Sequence, residues 1–293
     1  MIEFEKYLEF WSLKEKPFEE TRSPRFFFES NEHVEALNRL CYLVKDKGML
    51  FGMLTGEIGC GKTIISILLE KRISPKEIEM VRLENSNFAF NDLMFEIINR
   101  IKFQQITFEM DKKHLFENRN DKYYLMKIMK EHLEHLDKVE NRHLVIIFDE
   151  AHQIKTHDLE EINNLANINS QENSQVSIIL VGQSELRDRI KIMEQLDQRI
   201  GVRFHLHNFD RENTHRYIEH RLKAAGYKEG CVFDQGALLK IFEHSKGAPR
   251  AINRIAKLSM EYCFATKEKT VNENVIKIIT DDIADNTILS GDA

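Results

Sequence analysis

Short apolar runs alternate along this chain with stretches in which apolar residues recur at every third or fourth position. The runs are Met49–Thr55, Met80–Leu83, Leu144–Phe148, Val176–Val181 and Val202–Leu206. Leu144-Val145-Ile146-Ile147-Phe148 is the strongest of them, β-branched and aromatic throughout, as expected of a central strand buried on both faces. Helical spacing fills the intervals. Ser30 or Asn31 caps a helix whose apolar face is Val34, Leu37, Leu40, Cys41 and Val44. Thr63–Glu70 reads as the next helix, and Asn91 or Asp92 opens another with Leu93, Ile97 and Ile101. Tyr124, Leu125, Ile128, Met129, Leu133 and Leu136 lie at helical spacing, with the methionines as core filler and His132 and His135 on the solvated side. Helices over Leu159–Ala166 and Ser184–Gln198 complete the series. Strands alternating with helices predict an α/β fold, a parallel five-stranded sheet flanked by helices.

Two regions depart from this alternation. Residues 1–29 read as an extended aromatic arm, with Tyr7, Phe10, Trp11, Phe18 and Phe26-Phe27-Phe28, and so much large apolar surface must pack on something. From Asn208 onward only helical patterns remain. Asp210 caps a helix with Tyr217, Leu222 and Ala225 inward, stopped by Gly226, and Asp234 caps one with Leu238, Leu239, Ile241 and Phe242. Gly247-Ala248-Pro249-Arg250 starts a third, with proline at the favoured first position and Ile252, Ile255, Ala256 and Ser259 along one face. Asn272 caps a fourth, carrying Val275, Ile276 and Ile279. The expected division is therefore an arm over 1–29, an α/β domain over 30–207 and an all-helical lid over 208–293. The polar stretch 102–120 reads as a surface insertion.

Composition adds limits. A length of 293 residues with 42% hydrophobic content suits one α/β domain plus a smaller one. The net charge of −6 lies entirely in residues 1–207, because 208–293 carry equal numbers of basic and acidic side chains. By bulk charge, neither part is a basic nucleic-acid domain. Cys41, Cys60, Cys231 and Cys263 are scattered with no metal-type spacing, which fits a reducing compartment. No apolar run approaches the roughly 18 residues of a membrane span, and the first residues do not read as a signal peptide. A soluble cytoplasmic protein without an integral membrane segment is expected.

Chemistry is concentrated in two places. Gly56-Glu57-Ile58-Gly59-Cys60-Gly61-Lys62-Thr63 fits the phosphate-binding loop pattern at every constrained position, between an apolar strand and a helix. Glycines let successive backbone N–H groups turn inward toward phosphate oxygens. The helix N-terminus adds partial positive charge, Lys62 adds a full one, and the Thr63 hydroxyl is placed to ligate Mg²⁺. The second place is the end of Leu144–Phe148, where Asp149-Glu150 follows at once. Asp149 is the expected magnesium-shell carboxylate, direct or through water. Glu150, one residue on, is the expected base that polarises the attacking water. That glutamate favours ATP hydrolysis over static binding. His152 completes the letters D-E-A-H and receives no chemical role. In a nucleotidase with an additional strand and a catalytic glutamate, Val176–Val181 lies between the loop strand and the acidic strand. Gln183 at its end then stands beside the water and γ-phosphate.

A parallel α/β domain of this class followed by a helical bundle resembles the AAA+ ATPases. The segments Tyr7–Phe18, Thr55–Thr63, Phe148–His152, Val181–Leu186, Gln198–Ile200 and Gly247–Asn253, in this order, resemble the general secretion pathway protein A (ExeA/GspA) family and its shorter pilus-biogenesis relatives of the MshM kind. The resemblance runs from about residue 7 to 280. It implies ATP and Mg²⁺ as cofactors, Gln183 as the first sensor, and Arg250 as the second sensor on the γ-phosphate of its own subunit. Arg199 matches the arginine finger that reaches a neighbour's nucleotide, with Arg203 as runner-up, and it is expected to face outward from the domain edge. Serine stands at 184 where the family often has proline. Longer members carry a membrane helix and a cell-wall-binding region after the ATPase, and no such role is expected for the residues present here.

The expected biology is an ATP-dependent homo-oligomer, ring or filament, that assembles or remodels a secretion or pilus machine. It would be cytoplasmic or peripheral to the inner membrane through a partner. The alternative is a transposition ATPase of the MuB kind, with DNA and a transposase as partners.

Overall fold

The five apolar runs are the five strands of one parallel sheet. The computed structural model describes residues 2–21, 23–46, 48–105, 114–168 and 176–289. The strands are β1 (Phe51–Gly56), β2 (Ile78–Leu83), β3 (His143–Phe148), β4 (Val176–Gly182) and β5 (Ile200–Leu206), in the spatial order β2-β3-β4-β1-β5. Each neighbouring pair is parallel, and β4 lies between the loop strand and the acidic strand as expected. Every residue of β1, β3 and β4 is buried, which explains why their sequences are apolar runs instead of alternations.

Helices in chain order are α1 (Ile2–Phe10), α2 (Asn31–Lys45), α3 (Lys62–Arg72), α4 (Phe90–Gln105), α5 (Lys122–His135) and α6 (Thr156–Leu165). They continue with α7 (Ser184–Ile192), α8 (Glu194–Asp197), α9 (Arg211–Ala224), α10 (Gln235–Ser245), α11 (Pro249–Thr266) and α12 (Glu273–Leu289). Predicted caps operate at several of them. Asp210 accepts from Asn213 N–H at 2.7 Å, Asp234 from Ala237 N–H at 2.7 Å, and Asn272 from Val275 N–H at 3.1 Å. Asp121 does the same for α5 through Tyr124 N–H at 3.1 Å.

The chain divides into two compact units, Asn31–Gly56 with Lys62–Leu206, and Met1–Ser30 with Glu57–Gly61 and His207–Ala293. The sheet unit has one core, in which Phe51, Met53, Leu144, Ile146, Phe148, Ile178 and Leu180 from the strands meet Leu93, Ile97, Leu125, Met129 and Leu133 from α4 and α5. Three expectations are corrected there. His132 is not on the solvated side, because its Nε2 lies 2.8 Å from the carboxylate of Glu79, which is 1% exposed on β2 and needs a hydrogen-bond partner. The stretch 102–120 is not wholly a surface insertion, since α4 continues to Gln105 and Leu115 joins the core; residues 106–113 of it lie outside the described residues. The helix expected over 184–198 is two helices, interrupted at Met193, whose φ −93° and ψ 73° leave the helical region while its side chain packs on the core.

In the other unit, residues 2–10 are helical instead of extended. A nine-residue helix is marginal by itself and is stabilised here by tertiary packing. Tyr7 and Trp11, one turn apart, are 4% and 2% exposed in a core shared with α9–α12. Tyr7 and Phe10 meet Phe264 edge-on at 5.5 and 5.4 Å. The helix ends in a left-handed Ser12 (φ 53°), with Ser12 N–H donating to Glu9 O and Leu13 N–H to Leu8 O, a double bond pattern that satisfies its last carbonyls. Further along, the buried Arg221 of α9 donates to Pro17 O at 2.5 Å and Glu19 O at 2.6 Å, and stacks 4.6 Å over Phe26. The aromatic segment is thus part of the helical core.

Replacing Trp11 tests that statement. Trp11→Ala should destabilise the helical unit by about 3–5 kcal/mol, the usual cost of removing a large buried aromatic. Urea unfolding of the full chain measures it, and a loss below about 1 kcal/mol, the usual range of exposed sites, would show that the segment is not part of that core.

Candidate nucleotide-binding site

The loop is built by its glycines. Gly59 and Gly61 adopt φ of +77° and +102°, left-handed values that L side chains rarely adopt. Gly56 closes β1, Glu57, Ile58 and Cys60 form the turn, and Lys62 and Thr63 begin α3. Cys60 is buried and Ile58 is exposed. Lys62 is 7% exposed, and its ammonium donates to the carbonyl of Gly56, the residue that closes β1, at 3.0 Å.

The acidic pair stands at the end of β3. Asp149 is 2% exposed. Its carboxylate accepts a hydrogen bond from the Thr63 side chain and one from Glu150 N–H at 3.1 Å, and lies 4.0 Å from the Arg82 guanidinium. Burial pushes its pKa up from the usual carboxylate value, against the opposing pull of those two hydrogen bonds and of Arg82. Glu150 occupies a left-handed backbone (φ 54°, ψ 33°), a strained conformation for a residue with a side chain. The strain turns the chain sharply out of the strand, with a short 3₁₀ turn, Ala151–Gln153, immediately after.

The remaining predicted residues fall as follows. Gln183 follows β4 directly and is half-buried; its backbone N–H donates to His152 Nδ1 at 3.4 Å. Arg199 precedes β5, but the expectation that it faces outward is corrected. It is half-buried and donates to Asn163 Oδ1 at 2.9 Å and Asn163 O at 3.2 Å, because carbonyls in the last turn of α6 are free acceptors that favour a cation. Arg203 is the more exposed arginine and pairs with the Asp197 carboxylate at 2.6 Å. Arg250, second residue of α11, is exposed; within the helical unit its N–H donates to Gly59 O at 3.4 Å and its Nε lies 3.3 Å from Glu20. A Cβ on Gly59 would come within 2.7 Å of Arg250 Cβ, so this position requires glycine for space as well as for φ.

Three side chains here were given no role from the sequence. His152 Nδ1 lies 3.4 Å from a Glu150 carboxylate oxygen, Arg82 faces Asp149, and the Ser86 hydroxyl donates to Asp149 O at 2.7 Å. The D-E-A-H letters pointed at His152, whereas Arg82 and Ser86 become visible only when β2 is aligned beside β3, with Leu83 opposite Phe148. The donor set suits Mg²⁺. Thr63 and Asp149 present hard oxygens already bonded to each other, and a cation held by one or two protein oxygens plus phosphates needs no dedicated cage. No cluster of three or more His, Cys, Asp or Glu suited to a metal occurs among the described residues.

The buried carboxylate carries a stability signature. Its folded pKa is raised, so the cost of burying its charge is present above that pKa and fades as pH falls through it. Asp149→Asn should therefore unfold at a higher temperature than the unsubstituted chain at pH 7–8 without nucleotide, and the gap should narrow toward pH 4. Thermal unfolding across that range checks it; a variant less stable at pH 8 would contradict the sign.

Comparison with known proteins agrees with this geometry. Residues 45–190 match the family model described as an AAA domain. General secretion pathway protein A of Aeromonas hydrophila is 30% identical over 263 residues, 88% of this chain and 45% of that protein, so the chain spans a little under half the length of this relative. The ORC2 protein of Aeropyrum pernix, solved in ADPNP–ADP complexes, has a similar fold with a TM-score of 0.63 at 18% identity, covering 91% of this chain and 70% of that one. The Holliday junction branch migration motor RuvB of Thermotoga maritima has a TM-score of 0.55 at 14% identity, covering 91% and 73%. The loop, the acidic pair and Gln183 all lie inside the AAA match, so the chain carries an AAA domain, and over most of its length it is similar to general secretion pathway protein A.

Proposed function

We propose that this protein is a Mg²⁺-dependent ATPase that couples ATP binding and hydrolysis to assembly or remodelling of a protein machine of the secretion or pilus-biogenesis kind. The observation that carries the reading is the convergence of Lys62, Thr63 and Asp149 in the sheet unit, with Glu150 one residue past the buried carboxylate. The backbone amides of Gly56–Thr63 cradle the phosphates, and Lys62 moves from Gly56 O to the β- and γ-phosphate oxygens. Thr63 and Asp149 hold Mg²⁺, which supplies positive charge to the transferring phosphoryl group. Glu150 takes a proton from the attacking water, Gln183 hydrogen-bonds the water or the γ-phosphate, and Arg250 contacts the γ-phosphate.

The secretion partner is supported by the name of the Aeromonas relative. The acidic balance of residues 1–207 supports a protein partner over a nucleic acid. No helix among the described residues is long and apolar enough to cross a membrane. In this reading the protein reaches the inner membrane peripherally, through a partner. Completion of the site in trans is the last part of the reading. The transition state spreads negative charge over the γ-phosphoryl oxygens, and a further cation from a neighbouring subunit contributes on the order of 10³-fold in rate. Arg199 supplies it by exchanging Asn163 for phosphate in a head-to-tail assembly, with Arg203 as the second candidate.

Lys62→Ala should abolish most nucleotide affinity. Glu150→Gln should retain ATP binding but slow hydrolysis roughly 10²-fold or more. Equal loss of affinity in both variants, measured by titration calorimetry, would contradict these roles, and ATPase stimulation by double-stranded DNA would move the partner to DNA. For the shared site, Arg199→Ala and Glu150→Gln should each be nearly inactive alone. Mixed, they should recover turnover at interfaces that join an intact Glu150 to an intact Arg199. A mixture that stays inactive although both variants bind ATP and co-assemble would remove Arg199 from the trans role.

A further inference from the structure

The left-handed backbone of Glu150 is strained, and such conformations persist only where the surroundings over-determine them. Here the restraint comes from two sides. Upstream, Asp149 N–H donates to Leu83 O at 2.9 Å and the Ser86 hydroxyl donates to Asp149 O at 2.7 Å. These bonds pin the end of β3 to β2 and to the loop that follows it. Downstream, Gln153 N–H closes the turn on Glu150 O at 2.9 Å, and Arg189 of α7 grips the far side. Its guanidinium donates to His152 O, to Ile154 O at 2.5 Å and to Thr156 Oγ1, the first residue of α6, at 3.5 Å. We propose that Arg189 is a positioning residue for Glu150, its planar fork holding the turn that keeps the glutamate left-handed at the end of β3.

The chemistry of the contact favours this role over a general surface one. No carboxylate pairs with Arg189 among the described residues, so its donors are committed to the turn and to Thr156. A guanidinium presents its N–H groups in one rigid plane and can bond two carbonyls at once, with a geometry that a lysine ammonium on a flexible stem does not define. The helix that carries the fork is itself fixed, because Leu186 and Ile190 of α7 are buried in the sheet core. Gly182, just ahead of α7, lies so close to the turn that a Cβ there would stand 3.0 Å from His152 N. The turn and α7 are thus one packed piece. Since α7 begins directly after Gln183, the same bonds join the turn bearing the proposed base to the helix behind the proposed first sensor.

Without the fork, the turn keeps only its internal bonds, Gln153 N–H to Glu150 O and Ile154 N–H to Ala151 O at 3.2 Å. The backbone at Glu150 can then relax toward an ordinary conformation, which carries the carboxylate away from its place beside Asp149. Nucleotide binding does not use that carboxylate, so the loss should fall on the chemical step and leave affinity in place. The inference rests on the reading of Glu150 as the base.

Steady-state Mg-ATP turnover of the full chain gives one test. Arg189→Met keeps the apolar stem and removes every donor. It should lower kcat about 10- to 100-fold with little change in KM, as expected when a reacting group is misplaced by about an ångström. Arg189→Lys restores a cation without the fork and should fall between the two. A kcat for Arg189→Met within about twofold of the unsubstituted chain, or a loss carried by KM alone, would overturn the proposal. The second test needs no turnover and reads the strain itself. Glu150→Gly and Glu150→Gln both remove the charge, but only glycine adopts the left-handed backbone freely. In the chain that carries Arg189, Glu150→Gly should therefore melt about 2–4 °C above Glu150→Gln. In the Arg189→Met background, where the turn has already relaxed, that difference should largely vanish. An equal difference in both backgrounds would refute the clamp. A chain that shows the strain coupling yet never hydrolyses ATP would refute the ATPase reading and leave the clamp standing.

Discussion

A charged side chain with 2% of its surface exposed stands at the C-terminal edge of the parallel sheet, and the surrounding structure compensates for it. An isolated carboxylate in such a place would take up a proton. Asp149 instead receives the Thr63 hydroxyl from the helix after the loop, the Glu150 amide from its own chain, and the field of Arg82 from the neighbouring strand. Each depends on a different element, and each element is positioned by the sheet. β3 must run parallel to β2 so that Arg82 and Asp149 leave the sheet at one edge, and α3 must begin where β1 ends so that Thr63 faces the carboxylate. In the proposed reading, Mg²⁺ beside Asp149 would replace compensation that the protein otherwise draws from its own donors, so that the burial cost favours binding of the cation.

The same economy of position governs the glycines. Gly59 combines a left-handed φ with a neighbour, Arg250, that leaves no room for a Cβ. Gly182 has an ordinary backbone, and it is required by the approach of His152 and Leu186. Glu150 presents the opposite case, a left-handed residue that is not glycine. There the side chain is worth the strain, since the backbone turn delivers the carboxylate beside Asp149 without lying in the strand's own line.

The helical unit shows how a sequence that looks like a loose arm becomes structural. Arg221 is buried and must be hydrogen-bonded, and the acceptors it finds are the carbonyls of Pro17 and Glu19. That pair of bonds, with the aromatic contacts of Tyr7, Phe10 and Phe28, ties residues 2–30 to α9–α12. Glu20 and Arg250 then meet in that same unit, so the amino-terminal segment lies beside the predicted second sensor.

The sequence alone determined the sheet and the two motifs, because both rest on local rules. Strands buried on both faces must be apolar runs, and a phosphate loop needs glycine at the positions of Gly59 and Gly61 whatever the rest of the molecule does. The caps at Asp210, Asp234 and Asn272 were legible for the same reason: each bonds an amide three residues away. Tertiary structure decided what depends on residues distant in the chain. Whether residues 2–10 coil into a helix was settled by a core supplied from beyond residue 208. His132 is turned inward by Glu79, Arg199 is drawn onto Asn163, and His152 is placed between Glu150 and Gln183, each across at least one intervening element or turn. A single sequence carries no sign of such pairs, since a polar residue on a helix or loop satisfies the same pattern whether its partner is water or a buried carboxylate.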